Sequence, residues 1–341
     1  MTDYHRFFYP SLVIDRSLMK GDGVMKIAIV LGATGGTGQV IVSELLERQI
    51  EVIAFGRSES KLKTLMEDHD FDQRLSYKLG DIFDYQTIVN AAKDVDVIFQ
   101  CANVKYQEME GKLHLLGESV MKAADILKKK IVIIDGIYVY GHQVAKGDEN
   151  HPQQPHTKKG KLRVEFEKLI FSNKWENAKA LIVRLPDYYG ATSQNSYLQP
   201  TLEGMAAHKN SIFIGNMNTP REYVYLPDAA KMIVNIAEKD NAYGENWNIP
   251  GTRLISGKEI IQIARKVTGN RKMVIPLNKS AIRLIGLFDP FIREVVEIMY
   301  LTKEGFVLSG EKYEKRIGPV PATPFEKGLE ETLRLLMHNK N

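Results

Sequence analysis

The chain has 341 residues, with 46 Lys and Arg against 42 Asp and Glu, a net charge of +4 and a hydrophobic fraction of 44%. That apolar content supports a sizeable core and excludes disordered, collagen-like and disulfide-stapled classes. Cys101 is the single cysteine, so an internal disulfide and a cysteine-built metal cage are both excluded.

The cations are scattered, which argues against nucleic acid as a partner, and the run Lys128-Lys129-Lys130 reads as a solvated helix end. No apolar stretch reaches the roughly 18 residues a membrane span needs. The first residues lack a signal-peptide plan, so the expected location is cytoplasmic. Residues 1–24 read as an extension. Met25-Lys26-Ile27 has the form of a start directly before a strand, and Lys20-Gly21-Asp22 is compatible with a ribosome-binding sequence upstream of it. Either the true start is Met25, or the extension is genuine.

From Lys26 onward, short apolar runs alternate with helical stretches. Ile27–Leu31 predicts a strand, Gly36–Gln49 a helix, Val52–Phe55 a strand and Glu59–Asp68 a helix. Strands follow at Ser76–Leu79, Val95–Gln100, Ile131–Ile134 and Ala180–Arg184, with helices near Gln86–Ala92, Lys112–Lys128 and Lys161–Ser172. This alternation specifies an α/β fold, a doubly wound parallel sheet over residues 25–186. Residues 187–341 read as a small, mostly helical substrate part, some of whose segments return to the sheet. Its helices are expected near Leu202–His208, Pro227–Glu238, Ser256–Thr268 and Glu326–His338, with an amphipathic stretch over Ser280–Leu301.

The strongest motif is Gly32-Ala33-Thr34-Gly35-Gly36-Thr37-Gly38, between the first strand and the first helix. Glycines there allow a tight turn and let backbone N–H groups approach a pyrophosphate at the helix N-terminus. With this loop, the sequence resembles the extended, epimerase/dehydratase-like branch of the short-chain dehydrogenase/reductase family. Further matching segments are Gly80-Asp81-Ile82, Val139-Tyr140-Gly141, Arg184-Leu185-Pro186 with Tyr189-Gly190, Arg221 to Asp228, and Asn248-Ile249-Pro250-Gly251. The resemblance implies a Rossmann fold, an NAD(P) cofactor, adenine contacts at Asp81 and Ile82, and a cofactor path past Ala102. It also implies a possible homodimer through the two long helices of the Rossmann part.

The end of the second strand separates NAD from NADP. An acid there accepts from the ribose hydroxyls, whereas a base pairs a 2′-phosphate. That position is Gly56, followed by Arg57 and Ser58, which favours NADP(H) and leaves NAD(H) open.

The family's acid–base chemistry uses Asn, Ser, and Tyr-x-x-x-Lys. Counted from Tyr140, the serine position falls on Gly136. Lys161-Leu162-Arg163-Val164-Glu165 matches the lysine segment, which places the tyrosine position on Thr157. A threonine hydroxyl cannot replace a phenol of pKa near 10. Tyr138, two residues beyond Gly136, is the candidate replacement, with Lys161 lowering its pKa and binding ribose. Tyr188 and Arg221 are candidate substrate contacts, and no metal site is expected among His142, His151 and His156. The favoured activity is NADP(H)-dependent oxidoreduction of a small carbonyl or enone substrate. The alternatives are an NAD-dependent nucleotide-sugar epimerase or dehydratase, and a non-catalytic NAD(P)-binding sensor or scaffold.

Overall fold

The computed structural model describes residues 25–142, 146–285, 294, 296–303 and 306–338. The extension 1–24, and residues 286–293 and 295 of the amphipathic stretch, lie outside the described residues.

In chain order, the first part comprises β1 (Ile27–Leu31), α1 (Gly36–Glu47), β2 (Glu51–Gly56), α2 (Glu59–Asp68), β3 (Leu75–Leu79), α3 (Tyr85–Ala91) and β4 (Val97–Gln100). It continues through α4 (Met109–Leu127), β5 (Lys130–Gly136), α5 (Lys158–Ile170) and β6 (Lys179–Leu185). The rest holds β7 (Asp187–Tyr189), α6 (Gln199–Ala206), β8 (Ser211–Ile214), β9 (Arg221–Tyr225) and α7 (Leu226–Ala237). After these come β10 (Asn246–Asn248), β11 (Leu254–Ile255), α8 (Gly257–Thr268), β12 (Val274–Leu277), α9 (Lys279–Ile285), α10 (Glu311–Arg316) and α11 (Phe325–His338).

Seven parallel strands form the main sheet, in the order β10-β6-β5-β4-β1-β2-β3. The central strands are unbroken apolar runs because both their faces are covered. On one face α1 and α7 pack over Val30, Val52, Phe99 and Val183; on the other α3 and α4 pack over Ile29, Ile98 and Ile131. β10 returns from the C-terminal half to pair with β6, anchored by the fully buried Trp247. The Lys128 to Lys130 run sits where the sequence placed it: Lys128 caps α4 in a left-handed conformation with φ 55°, and Lys130 opens β5.

The C-terminal part is less helical than its sequence suggested. It carries a three-stranded sheet, β11-β9-β7, and a two-stranded one, β12-β8. β9 opens on Arg221 and Glu222, charges that disguise five consecutive buried residues. Beneath them, α6, α8 and α11 enclose a separate core around Phe213, Tyr223, Ile260 and Phe325.

Candidate functional site

The carboxyl ends of parallel strands are where loops gather and ligands bind in such sheets. After β1, Gly32 takes φ +81°, and a Cβ on it would lie 2.7 Å from the Ala102 nitrogen. At Gly38 a Cβ would lie 2.3 Å from the Gly32 carbonyl oxygen. The glycines are therefore required by the close approach of backbone to backbone. Gly35 is the N-cap of α1 and supplies no side-chain acceptor, so the positive end of the helix is left to backbone N–H groups. Thr34 and Thr37 flank it half-buried, and the Thr34 carbonyl accepts from Gln39 Nε2 at 3.1 Å.

Ala102 is fixed by its own strand end. The Gln100 amide folds back, with Oε1 accepting from the Ala102 N–H and Nε2 donating to the Ala102 carbonyl, each at 2.8 Å. A contact the sequence did not foretell reaches the loop from the far half of the chain. Thr192 Oγ1 donates to the Gly36 carbonyl at 3.0 Å, and a Cβ at Gly36 would lie 2.4 Å from the Thr192 oxygen.

Arg57 stands exposed past the end of β2. Ser58 beside it is the N-cap of α2, its Oγ accepting from the Lys61 N–H at 3.4 Å. After β3, Asp81 is exposed and accepts from the Phe83 N–H at 3.0 Å, while Ile82 is buried in the core.

Beyond β5 lies the cluster with acid–base capacity. Tyr138 folds its ring over Gly136, where an added Cβ would meet Tyr138 Cε2 at 3.3 Å. Its hydroxyl hydrogen-bonds that of Tyr106 at 2.8 Å, a partner absent from the sequence reading. Burial is the main cause that raises Tyr138 well above the ordinary phenol range, with Tyr106 adding to it and Arg163 opposing. Tyr106 is raised by burial as well, against the hydrogen bond from Tyr138 and the charge of Arg163.

Lys161 does not join this cluster: it is exposed. The reason is the phase of α5. Thr157 is its N-cap, with Oγ1 accepting from the Gly160 N–H at 3.0 Å, so the helix begins at Lys158 rather than Lys161. Its buried face then falls on Lys159, Gly160, Arg163, Phe166, Glu167 and Ile170.

Arg163 reaches Asn103 Oδ1 at 2.8 Å and lies 2.8 Å from the buried Asp135 carboxylate. Lys159 Nζ donates to Glu294 and Glu297 at 2.5 Å each and stands 5.5 Å from the Tyr106 ring centre. Glu167 accepts from Arg184, from Gln153 Nε2 at 2.8 Å and from Asn246 Nδ2 at 2.7 Å, which ties α5 to β6 and β10.

On the C-terminal side, Tyr188 donates to the Gln194 carbonyl at 2.8 Å, and Arg221 is buried with Nη2 donating to the Ile214 carbonyl at 3.0 Å. The rings of His142 and His156 stack at 3.7 Å beside Tyr300, and His151 packs against Tyr140 and Phe306. Among the described residues, no group of three His, Cys, Asp or Glu is placed to hold a metal ion, and no helix is long and apolar enough to cross a membrane.

The NAD dependent epimerase/dehydratase family model matches residues 28–250. The chain belongs to that family, a family of enzymes. A Methanocaldococcus jannaschii protein with a provisional UDP-glucose 4-epimerase assignment is 24% identical over 68% of this chain and 77% of its own length. The photosystem II assembly factor Ycf39 of Synechocystis is 23% identical over 78% of this chain and 74% of its own length. In fold, the chain is similar to UDP-glucuronic acid 4-epimerase from Bacillus cereus in complex with NAD, with a TM-score of 0.74 and 19% identity over 92% of this chain and all of the other.

At the serine position, Gly136, the Tyr138 ring lies close, 3.3 Å from where a Cβ would stand. Lys159 and Arg163 are buried positions of α5 spaced as in Tyr-x-x-x-Lys, whereas of the pair Thr157 and Lys161 only Thr157 is buried. Sequence alone gave one usable signal for this register: Lys159, Arg163, Phe166, Glu167 and Ile170 share one helical face.

Proposed function

We propose that this family member is an NAD(P)(H)-dependent carbonyl reductase in which Tyr138 is the proton donor. The Tyr138–Tyr106 phenol pair, facing Arg163 at the carboxyl end of β5, is the observation that carries the reading. The dinucleotide would be held by the α1 N-terminus and the loop Gly32, Thr34, Gly35, Gly36, Thr37 and Gly38, with Asp81, Ile82 and Ala102 along its path. The fit rests on the tight glycine turn, packed backbone to backbone at Gly32 and Gly38, and on the helix end without a side-chain cap. When bound, the reduced cofactor supplies a hydride.

The protein's own part is the proton. Both phenols are raised by burial, so the resting pair is neutral and holds its protons. Tyr138 gives its proton to the carbonyl oxygen. The charge left behind is shared with Tyr106 across their hydrogen bond and faced by the Arg163 guanidinium. The reverse reaction needs a phenolate first, which the same burial opposes. The favoured substrate is a small carbonyl or enone compound.

NADP(H) is the favoured cofactor because Gly56 offers no carboxylate against a 2′-phosphate and Arg57 is exposed beside it. A second reading, an NAD-dependent nucleotide-sugar epimerase, is supported by the epimerase relatives and by NAD in the Bacillus cereus complex.

Binding of NADPH, NADH and their oxidised forms to the purified protein, followed by carbonyl turnover, tests the proposal. NADPH preference with reductive turnover lost in Tyr138→Phe is the expected result. Copurifying NAD+ with UDP-sugar turnover would replace it by the epimerase reading, and nucleotide binding without any turnover by the scaffold reading.

A further inference from the structure

The two phenols of the candidate site stand on different loops, and one cation is tied to the root of each. Tyr106 opens the single turn Tyr106–Glu108 after β4, and Tyr138 lies in the single turn Ile137–Tyr140 after β5. Asn103 precedes Tyr106 by three residues, and Asp135 precedes Tyr138 by three. Arg163, on the buried face of α5, reaches both roots. Its Nη2 donates to Asn103 Oδ1 at 2.8 Å, and its Nη1 lies 2.8 Å from Asp135 Oδ1. Asn103 Oδ1 also accepts from the Val104 N–H at 2.9 Å, so one oxygen is tied both to its own loop and to α5. Beyond this bracket the Tyr106 and Tyr138 hydroxyls meet at 2.8 Å.

Both charges of the bracket are out of water: the Arg163 side chain is 5% exposed and that of Asp135 not at all. The Asp135 oxygens accept no hydrogen bond, so Arg163 answers the carboxylate by charge. Among the described residues, no second cation lies within ion-pair distance of it. Arg184 stands opposite Asp135 on β6 but donates to Tyr140 at 3.1 Å and to Glu167. A buried guanidinium with no counter-charge is costly, and it stabilises any phenolate near it. With Asp135 beside it, Arg163 holds both loops while exerting only the weaker field of a neutral pair. Burial raises both Tyr138 and Tyr106, and the charge of Arg163 opposes that rise in each. The other groups acting on the phenols are Lys159 on α5, which lowers Tyr106, Asp187 on β7, which raises it, and Tyr197, which raises Tyr138.

We propose that Asp135 is a positioning residue of the phenol pair: while Asn103 holds one arm of the Arg163 guanidinium, Asp135 anchors the other and cancels enough of its charge to keep Tyr138 a proton donor. The proposal rests on the reductase reading for what that proton is used for; the anchoring and the charge balance do not depend on it. Asp135 acts here through Arg163. Removing the carboxylate charge leaves Arg163 unanswered, so the phenolate forms more readily and the donor is lost at a lower pH. Removing both charges exchanges a neutral pair for two neutral groups, and the phenols should then ionise close to where they do in wild type.

The test follows phenolate formation in the full chain by ultraviolet difference spectroscopy. Each protein is read against the same protein carrying Tyr106→Phe and Tyr138→Phe, which isolates the pair from the other tyrosines. Asp135→Asn should hold about tenfold more phenolate than wild type at a given alkaline pH, a downward shift of about one pH unit. Asp135→Glu should recover most of that shift, and Asp135→Asn combined with Arg163→Gln should lie close to wild type. With a carbonyl substrate, the pH at which reduction begins to fall should move down by about one unit in Asp135→Asn. A phenolate curve unmoved in Asp135→Asn, or moved as far when Arg163→Gln is also present, overturns the proposal. Where Asp135→Asn does not fold, Asp135→Ala, which leaves room for a water at the guanidinium, repeats the measurement. Failure of both to fold makes Asp135 a stability residue and overturns the proposal as well. The spectra need neither cofactor nor substrate, so the two readings fail separately. A shift without turnover in wild type counts against the reductase reading alone, and turnover without a shift against Asp135 alone.

Discussion

The two halves of the candidate site are built in different ways. Around β1 to β4, the cofactor region is a shape made of backbone: glycines, a helix end and a folded-back Gln100 amide. Around β5 and α5, the chemical region is made of side chains brought from distant segments, with Tyr106, Tyr138 and Arg163 separated by long stretches of chain. A backbone shape needs a fixed local run of residues, so it is legible in a sequence and tolerates little change. A side-chain cluster needs only that some residues of suitable chemistry meet, so one set can replace another while the fold stays the same. In this protein the first region matches the family's glycine-rich loop pattern in sequence, whereas the second carries glycine and threonine at the serine and tyrosine positions that pattern implies.

If that contrast is right, removing the phenol should have the largest effect. Tyr138→Phe should lower reductive turnover by about 10²- to 10⁴-fold with dinucleotide binding unchanged, measured as kcat and as nucleotide affinity in parallel. Tyr106→Phe should cost less, and the double variant should fall short of the summed losses because the two hydroxyls act as one unit. Lys161→Ala should leave both quantities unchanged. In pH profiles, the raised phenols keep the donor protonated, so reduction should stay level through neutrality and up to the ordinary phenol range. The reverse oxidation should rise with pH over the same interval. A reductive rate that falls between pH 6 and pH 8 would remove the phenol pair from the chemistry.

The backbone region should fail differently. Gly32→Ala adds a Cβ 2.7 Å from the Ala102 nitrogen at φ +81°, where L residues are strained by about 1–2 kcal/mol. Dinucleotide affinity should drop about tenfold or more, with phenol chemistry untouched once cofactor saturates. Arg57→Ala should be milder and selective. An exposed arginine–phosphate contact is screened, so about a tenfold loss for NADPH and none for NADH is expected by calorimetry, with the loss shrinking at high salt. Equal loss for both cofactors would place Arg57 outside the ribose end.

Legibility follows the same division. The first strands and helices were readable because Ile27–Leu31 and Glu59–Asp68 carry a long enough period and clear ends. The strands Arg221–Tyr225 and Ser211–Ile214 were missed because charged or polar first positions interrupt the apolar run. Tyr138 was singled out by its distance from Tyr140, whereas Tyr106 carried no motif and enters only through its hydrogen bond to Tyr138. Lys161 was chosen by matching Lys-x-x-x-Glu to a family pattern. Arg163-x-x-x-Glu167 fits nearly as well, and only Glu167, held by Arg184, Gln153 and Asn246, shows which register the helix uses.

The smallest predicted effect tests that register. Thr157 is buried and spends its hydroxyl on the Gly160 N–H, which sets where α5 begins and so which residues face inward. Thr157→Ala should lower stability by about 1 kcal/mol in chemical denaturation, and Thr157→Ser should recover most of it, as for other caps. Thr157→Tyr is the sharper variant. Counted from Lys161, it restores the family's phenol and should revive or raise turnover. Counted from the structure, it removes the cap at the first turn holding Lys159 and places a phenol where neither Tyr138 nor Arg163 uses it. Lower stability without a gain in turnover is the expected outcome. A gain would return the chemistry to Lys161 and show that the inward face of α5 is not what governs the site.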